Sequence, residues 1–201
     1  MRFIYWILLL LFSHFSFGNK SEVARIWTVT TASTLKIDGT TNVNNFQCAS
    51  SYYTGTDIIR EIWNPNDASW EIQGKLYIDV QEFDCQNRIM NNDFRNTLQA
   101  EKHPEIQIEF VNLQEKSVGD NTKKAIGITE ITLAGQTKRY NLSCELIFVS
   151  EHYSILRGTQ VFRFSDFGLE PPQKGFGLVR VNDEIQVSFE LILVRAALTD
   201  I

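Results

Sequence analysis

Residues 69–80 read Ser-Trp-Glu-Ile-Gln-Gly-Lys-Leu-Tyr-Ile-Asp-Val, and the parity of that stretch decides the fold. Trp70, Ile72, Leu76, Ile78 and Val80 fall on one face, while Glu71, Gln73, Lys75 and Asp79 fall on the other. An apolar period of two rather than 3.6 predicts a strand with one dry and one wet face. The C-terminal stretch repeats the scheme, with Ile185, Val187, Phe189, Leu191 and Leu193 opposite Gln186, Ser188 and Glu190. Further strands are predicted at 105–118, 124–134, 137–149 and 153–164. Turn chemistry separates them at Val118-Gly119-Asp120-Asn121 and Ala134-Gly135-Gln136, so the run reads as antiparallel hairpins.

A long meander exposes its edges unless it closes on itself, and the expected architecture is all-β, an eight-stranded antiparallel barrel with one short helix. Within 124–134 the apolar parity slips from Ile126 and Ile128 to Ile131 and Leu133, which places a β-bulge near Thr129 or Glu130. The helix lies within Arg88–Ala100, where Met90, Phe94 and Leu98 recur every four residues and Pro104 bars continuation. It either plugs a barrel end, covers a gap in the wall, or packs outside to bury three side chains.

Residues 1–18 carry the pattern of a secretory signal peptide: Arg2, an apolar run from Phe3 to Phe12, then small residues at Ser16 and Gly18. The rival reading, a membrane anchor, meets a stretch broken by Ser13 and His14 and shorter than the roughly 20 apolar residues of a span. The expected product is an exported protein, periplasmic or secreted, with residues 19–201 as one domain and no linker or repeat within it. The whole chain has a formal charge of −5, which does not favour nucleic acid.

Export places Cys48, Cys85 and Cys144 where disulfides persist. One of the three stays unpaired within a monomer. Cys144 shares a predicted strand face with Tyr140, Leu142, Leu146 and Phe148, the pattern of a small core hydrophobe, which favours a Cys48–Cys85 bridge worth roughly 4 kcal/mol in the chain-entropy model. Spacing alone leaves the connectivity open, and a covalent dimer through the odd cysteine with it.

The chemistry-bearing residues form no catalytic constellation. His103 precedes Pro104 at the helix end and His152 sits beside Glu151 in a predicted turn, neither within a nucleophile or metal motif. Asp166-Phe167-Gly168 lacks the other motifs of a kinase, and no serine stands in a Gly-x-Ser-x-Gly elbow. The expectation is no enzyme, no metal site and no cofactor. A loop from Tyr52 to Asn66, with Tyr52, Tyr53, Ile58, Ile59 and Trp63, is a candidate contact site or membrane-docking lip, or equally a cover for the barrel edge.

Taken in order, several short blocks resemble the YceI family of lipid- or polyisoprenoid-binding proteins. They are Gly74-Lys75-Leu76, the helix ending in Leu98 followed by His103-Pro104-Glu105-Ile106 and Phe110, Ile131 to Lys138, and Ser165-Asp166-Phe167-Gly168-Leu169. The resemblance covers nearly all of residues 19–201. It implies a lipocalin-like antiparallel barrel that encloses an isoprenoid, quinone or fatty chain, and export to the periplasm; transient membrane contact is compatible with that reading. The family often has an early histidine where this chain reads Asp38-Gly39-Thr40-Thr41-Asn42-Val43, and an arginine where this chain has Phe164. Head-group contacts are therefore not carried over.

The candidate lining comprises Trp70, Ile72, Leu76, Ile78, Ile106, Ile108, Phe110, Leu142, Phe148, Phe164, Phe167 and Phe189. Periodicity reads such rows equally as lining or as solid core, because an eight-stranded barrel is just wide enough to be filled or to hold one slender ligand. The resemblance tips the reading toward binding, transport or storage of an apolar chain. The alternative is a cell-envelope interaction protein whose barrel is solid.

Overall fold

A computed structural model describes residues 24–50, 53–117 and 119–196. The segment read as an export signal, residues 1–18, lies outside them, as does Tyr52. The strands are β1 (Ala24–Val29), β2 (Thr34–Thr41), β3 (Asn45–Ser50), β4 (Ile58–Asn64), β5 (Ser69–Asp79), β6 (Phe83–Asp84), β7 (Glu105–Ser117), β8 (Thr122–Leu133), β9 (Gln136–Ser150), β10 (Tyr153–Arg163), β11 (Gln173–Lys174) and β12 (Val179–Arg195). Helix α1 (Arg88–Thr97) stands between β6 and β7. Among the described residues no helix is long and apolar enough to cross a membrane.

Eight strands close a hydrogen-bonded antiparallel ring in the order β1, β4, β5, β7, β8, β9, β10 and β12, with β12 returning to β1. The expected eight-stranded barrel is this ring. Its closing strand is unusually long and serves two neighbours along one edge: Leu193–Arg195 pair with β1, and Ile185–Glu190 pair with β2. The chain makes this handover at Thr30–Ser33, where Thr30 N–H donates to the carbonyl of Ile192 and Ser33 Oγ accepts from Ile192 N–H at 2.9 Å. Thus β1 and β2 follow one track, and the ring is complete only at its β1 end.

At the other end the wall continues from β2 to β3 and then to the two residues of β6, without further pairing toward β5 among the described residues. Helix α1 covers the gap. Asn87 caps it, its side chain accepting from Ile89 and Met90 N–H; Phe94 packs on Phe83 with ring centroids 5.1 Å apart. The Cys48–Cys85 disulfide ties β3 to the segment that leads into the helix, and Cys144 is free and buried.

The parity slip expected within β8 is not there. Its inward row is Ala125, Gly127, Thr129, Ile131 and Leu133, its register with β9 is continuous, and Ile126 faces out. The extra residue belongs to β7, where the register against β8 shifts between Phe110 and Gln114. Gly127 makes room for it: a Cβ there would stand 2.1 Å from the carbonyl oxygen of Asn112. Outward isoleucines mimicked the slip, since one strand's composition does not report where its neighbour bulges.

The Tyr52–Asn66 segment also differs from the expected loop. Its apolar centre is wall strand β4, with Ile59 and Glu61 fully buried, Tyr53 buried before it, and Trp63 set edge-on to Trp70 at 5.5 Å. Pairing with β1 and β5 on both sides removes it as an exposed lip.

Candidate functional site

The lumen divides into two halves of opposite character. Near the β1 end it is solid: Val29, Ile59, Ile72, Leu113, Ala125, Leu146, Leu156 and Leu193 are buried to 2 % exposure or less. Toward the α1 end lies a cavity of about 110 Å³, walled by β2, β3, β5, α1, β7, β8, β9, β10 and β12. A 150 Å³ apolar cavity holds a benzene, so this one admits a short hydrocarbon segment without rearrangement.

Aromatic rings shape its outer part. Ser165-Asp166-Phe167-Gly168 lies in a 3₁₀ turn spanning Phe164–Phe167, ended by Gly168 in the left-handed conformation (φ 66°), where glycine has no Cβ to clash. Ser165 N–H donates to Asp183 at 2.9 Å and anchors the turn to β12. The turn thereby presents Phe164 and Phe167 to the cavity. Tyr140 meets Phe162 edge-on at 4.7 Å and donates from its hydroxyl to Asp166 at 3.2 Å. Burial, with Asp166 beside it, pushes the Tyr140 pKa well up, so the phenol stays a neutral donor.

Polar groups are few. Thr129 is buried in the wall, and its hydroxyl finds no hydrogen-bond partner among the described residues. Gln160 and Arg163 stand at the cavity's margin, and Arg163 pairs with Glu184 at 3.6 Å. The Arg163 side chain is mostly exposed, so its guanidinium faces Glu184 and solvent rather than the cavity.

Of the candidate lining, Leu76, Ile106, Ile108, Phe110, Leu142, Phe164, Phe167 and Phe189 come together around the cavity. The other four stand apart from it. Ile72 belongs to the solid half, Ile78 is buried outside the cavity, Trp70 stacks under Arg25 at 4.1 Å, and Phe148 lies under Lys123 at 4.9 Å. Lining residues not singled out from sequence include Leu35, Ile37, Phe46, Ile131, Phe162 and Val187. Leu35, Ile37 and Ile131, Leu133 do alternate in sequence, but β2 is too short and too polar at its far end for alternation to stand out.

At the β1 end, beyond the solid half, sits a buried polar cluster. Glu61, 1 % exposed, accepts from Arg25 at 2.8 Å and from the Trp27 indole at 3.0 Å. Lys123 pairs with Glu115 and lies 4.0 Å from Glu61. Burial, then the neighbouring Glu61, raises the Glu115 pKa, while Lys123 works against that rise. Sequence reading missed this cluster; the available signal was a glutamate on the inward parity of β4, between Ile59 and Trp63. Among the described residues no group of three His, Cys, Asp or Glu side chains is placed to hold a metal. The Cys144 thiol, 3.6 Å from the Ala125 carbonyl, is pushed up to about 12 by burial and is no nucleophile.

Comparison with known proteins adds a family and a fold. The family model described as YceI-like domain matches residues 13–193. The crystal structure of BcnA from Burkholderia cenocepacia is similar at a TM-score of 0.59 and 18% identity, covering 82% of this chain and 98% of that one. A polyisoprenoid binding domain from Saccharophagus degradans, implicated in plant cell wall breakdown, is similar at 0.59 and 12% identity, covering 85% and 98%. A YCEI protein of Campylobacter jejuni is similar at 0.51 and 16% identity, covering 72% and 83%. No curated protein matches the chain.

Proposed function

This chain belongs to the family of YceI-like domains, and from that membership and its apolar cavity we propose that it binds an isoprenoid or other lipid chain, carrying or storing it rather than transforming it. The observation that carries the reading is the sorting of the lumen. One half is packed solid, whereas the other leaves a void walled almost wholly by aliphatic and aromatic side chains. A fold that needed only a core would close that void, since unfilled apolar volume costs about 24 cal/mol per Å³.

Burial from water is worth roughly 0.8 kcal/mol per CH₂, so four isoprene units would supply well over 10 kcal/mol. Against a bilayer donor most of that gain cancels, because the chain is already out of water. The protein therefore has only to match the bilayer, which suits a carrier. A long chain exceeds about 110 Å³; the half-buried rings of Phe46, Phe162 and Phe189 are the groups placed to give way. The similar domain described as polyisoprenoid binding supports the same class of ligand. Export to the periplasm, where the Cys48–Cys85 bridge would persist, completes the proposal.

Native mass spectrometry of the protein purified from its own cells, followed by organic extraction, tests it. A stoichiometric apolar chain is the expected result. A clean apo mass, with no uptake of added isoprenoid or fatty acid, overturns it.

A further inference from the structure

The segment between the cavity's 3₁₀ turn and β12 ends in a small hairpin, β11 paired with the start of β12 through Gln173↔Arg180 and Lys174↔Val179. Its tip is Gly175-Phe176-Gly177-Leu178, and Phe176 and Leu178 are the two most exposed large apolar side chains of the described residues. Phe176 holds a positive φ of 56° between two glycines that do the same. A non-glycine residue in that region is strained, and an aromatic held in water gains nothing from the fold in return.

The tip is not isolated. The β2–β3 turn is bound to it, Asn42 donating from Nδ2 to the Leu178 carbonyl at 2.9 Å and accepting from Arg180 N–H at 2.8 Å. That turn presents Val43, 66 % exposed. Three apolar side chains thus project from two tied turns at the cavity's end of the barrel. Residues 173–180 carry Lys174 and Arg180 and no acidic residue, in a chain whose net charge is −5. Lys174 also holds the tip's base to α1 through Asp93 at 2.8 Å.

We propose that this hairpin docks the protein on an anionic phospholipid bilayer, with Phe176 and Leu178 entering the headgroup region and the cavity's end facing the membrane; the purpose of such docking rests on the carrier reading. Charge supports the choice of surface, because Arg180, beside the tip and in no ion pair among the described residues, is the cation the hairpin offers to anionic headgroups, with no acidic residue in 173–180 to oppose it. Area supports it too. A few projecting side chains bury far less than the roughly 1,000 Å² that a specific protein interface needs, but they suffice for reversible insertion at an interface.

The test is co-sedimentation of the full chain with vesicles of phosphatidylcholine alone or mixed with phosphatidylglycerol, at low and high salt. Wild type is compared with the Phe176→Ala, Leu178→Ala double variant. Both carry the same N-terminal segment, so any difference between them reports the tip. Wild type is expected to pellet with the anionic vesicles, less so in high salt, and the double variant to partition about tenfold more weakly. Equal partitioning of the two proteins, failure of wild type to pellet with either vesicle, or binding replaced by tip-dependent self-association overturns the proposal. Uptake of parinaric acid, measured without vesicles, reads the cavity separately. The double variant should keep wild-type uptake, and absence of uptake in both proteins would count against the carrier reading alone.

Discussion

Phe189 on β12 lies across Gly158 on β10, its cross-strand partner, so closely that a Cβ on the glycine would stand 2.7 Å from the ring carbon Cζ. Phe46 covers Gly39 in the same way, with a would-be Cβ at 2.2 Å. These glycines let two lining rings lie against the wall instead of across the lumen, so the cavity's width depends on absent methyl groups. Gly158→Ala is expected to push the Phe189 ring toward the cavity, costing about 1–3 kcal/mol and reducing uptake of an apolar probe. Gly127→Ala makes the contrast, since its new methyl would meet the Asn112 backbone, which cannot swing aside. Thermal unfolding should show the larger loss at Gly127; equal losses would mean that the β7 bulge yields as easily as a ring.

Stability should fall as pH rises through the range where Glu115 titrates. Its carboxyl is raised from 4.5 to about 7, first by burial and then by Glu61. Below the ordinary value both folded and unfolded chains hold the proton, so the group makes no difference there. Between the two values the folded chain holds a proton that the unfolded chain releases, and each step up in pH favours unfolding. Above the raised value the loss is complete. Melting curves from pH 5 to pH 8 are expected to drop by an amount on the order of 5 °C. In Glu115→Gln, which cannot ionise, that drop should largely disappear.

The Cys48–Cys85 bridge closes a loop of 37 residues that includes β4, β5 and the approach to α1. Replacing both cysteines by alanine is expected to cost up to about 4 kcal/mol of stability. Because the bridge also holds the segment leading to Phe94 and Leu98, which line the cavity, a bound fluorescent probe should leave the variant faster. Peptide mapping without reductant that found both thiols free would remove the premise.

Thr129 buries a hydroxyl that has no partner among the described residues. Valine has the same shape without that unmet group, so Thr129→Val is expected to raise the stability of the ligand-free protein by about 1 kcal/mol. Binding of a pure hydrocarbon should be unchanged, while a ligand that accepts a hydrogen bond there should bind more weakly. A destabilised variant would show that the hydroxyl is already satisfied.

Local pattern carried most strands, their dry faces, the helix at Met90, Phe94 and Leu98, and the place of Cys144 on a core face, because each depends on chemistry repeated within a few residues; the bridge between Cys48 and Cys85, 37 residues apart, was favoured only by setting Cys144 aside. Family blocks such as Ser165–Leu169 carried the class of fold. Three things lay beyond that reach. Ile72 and Leu76 share a face and a strand, yet one is packed into the solid half and the other lines the cavity. The bulge in β7 is visible only through Gly127 on the neighbouring strand. The Glu61–Glu115–Lys123 cluster joins three strands whose sequence separation conceals that their charges share one interior. Outside β8, where outward isoleucines masked the inward row, the sequence by itself determined which way the strand side chains face, since that follows from strand parity. Only the tertiary structure decided whether the facing space is full, empty or charged, since that is set by what side chains from every other strand bring to the same depth of the barrel.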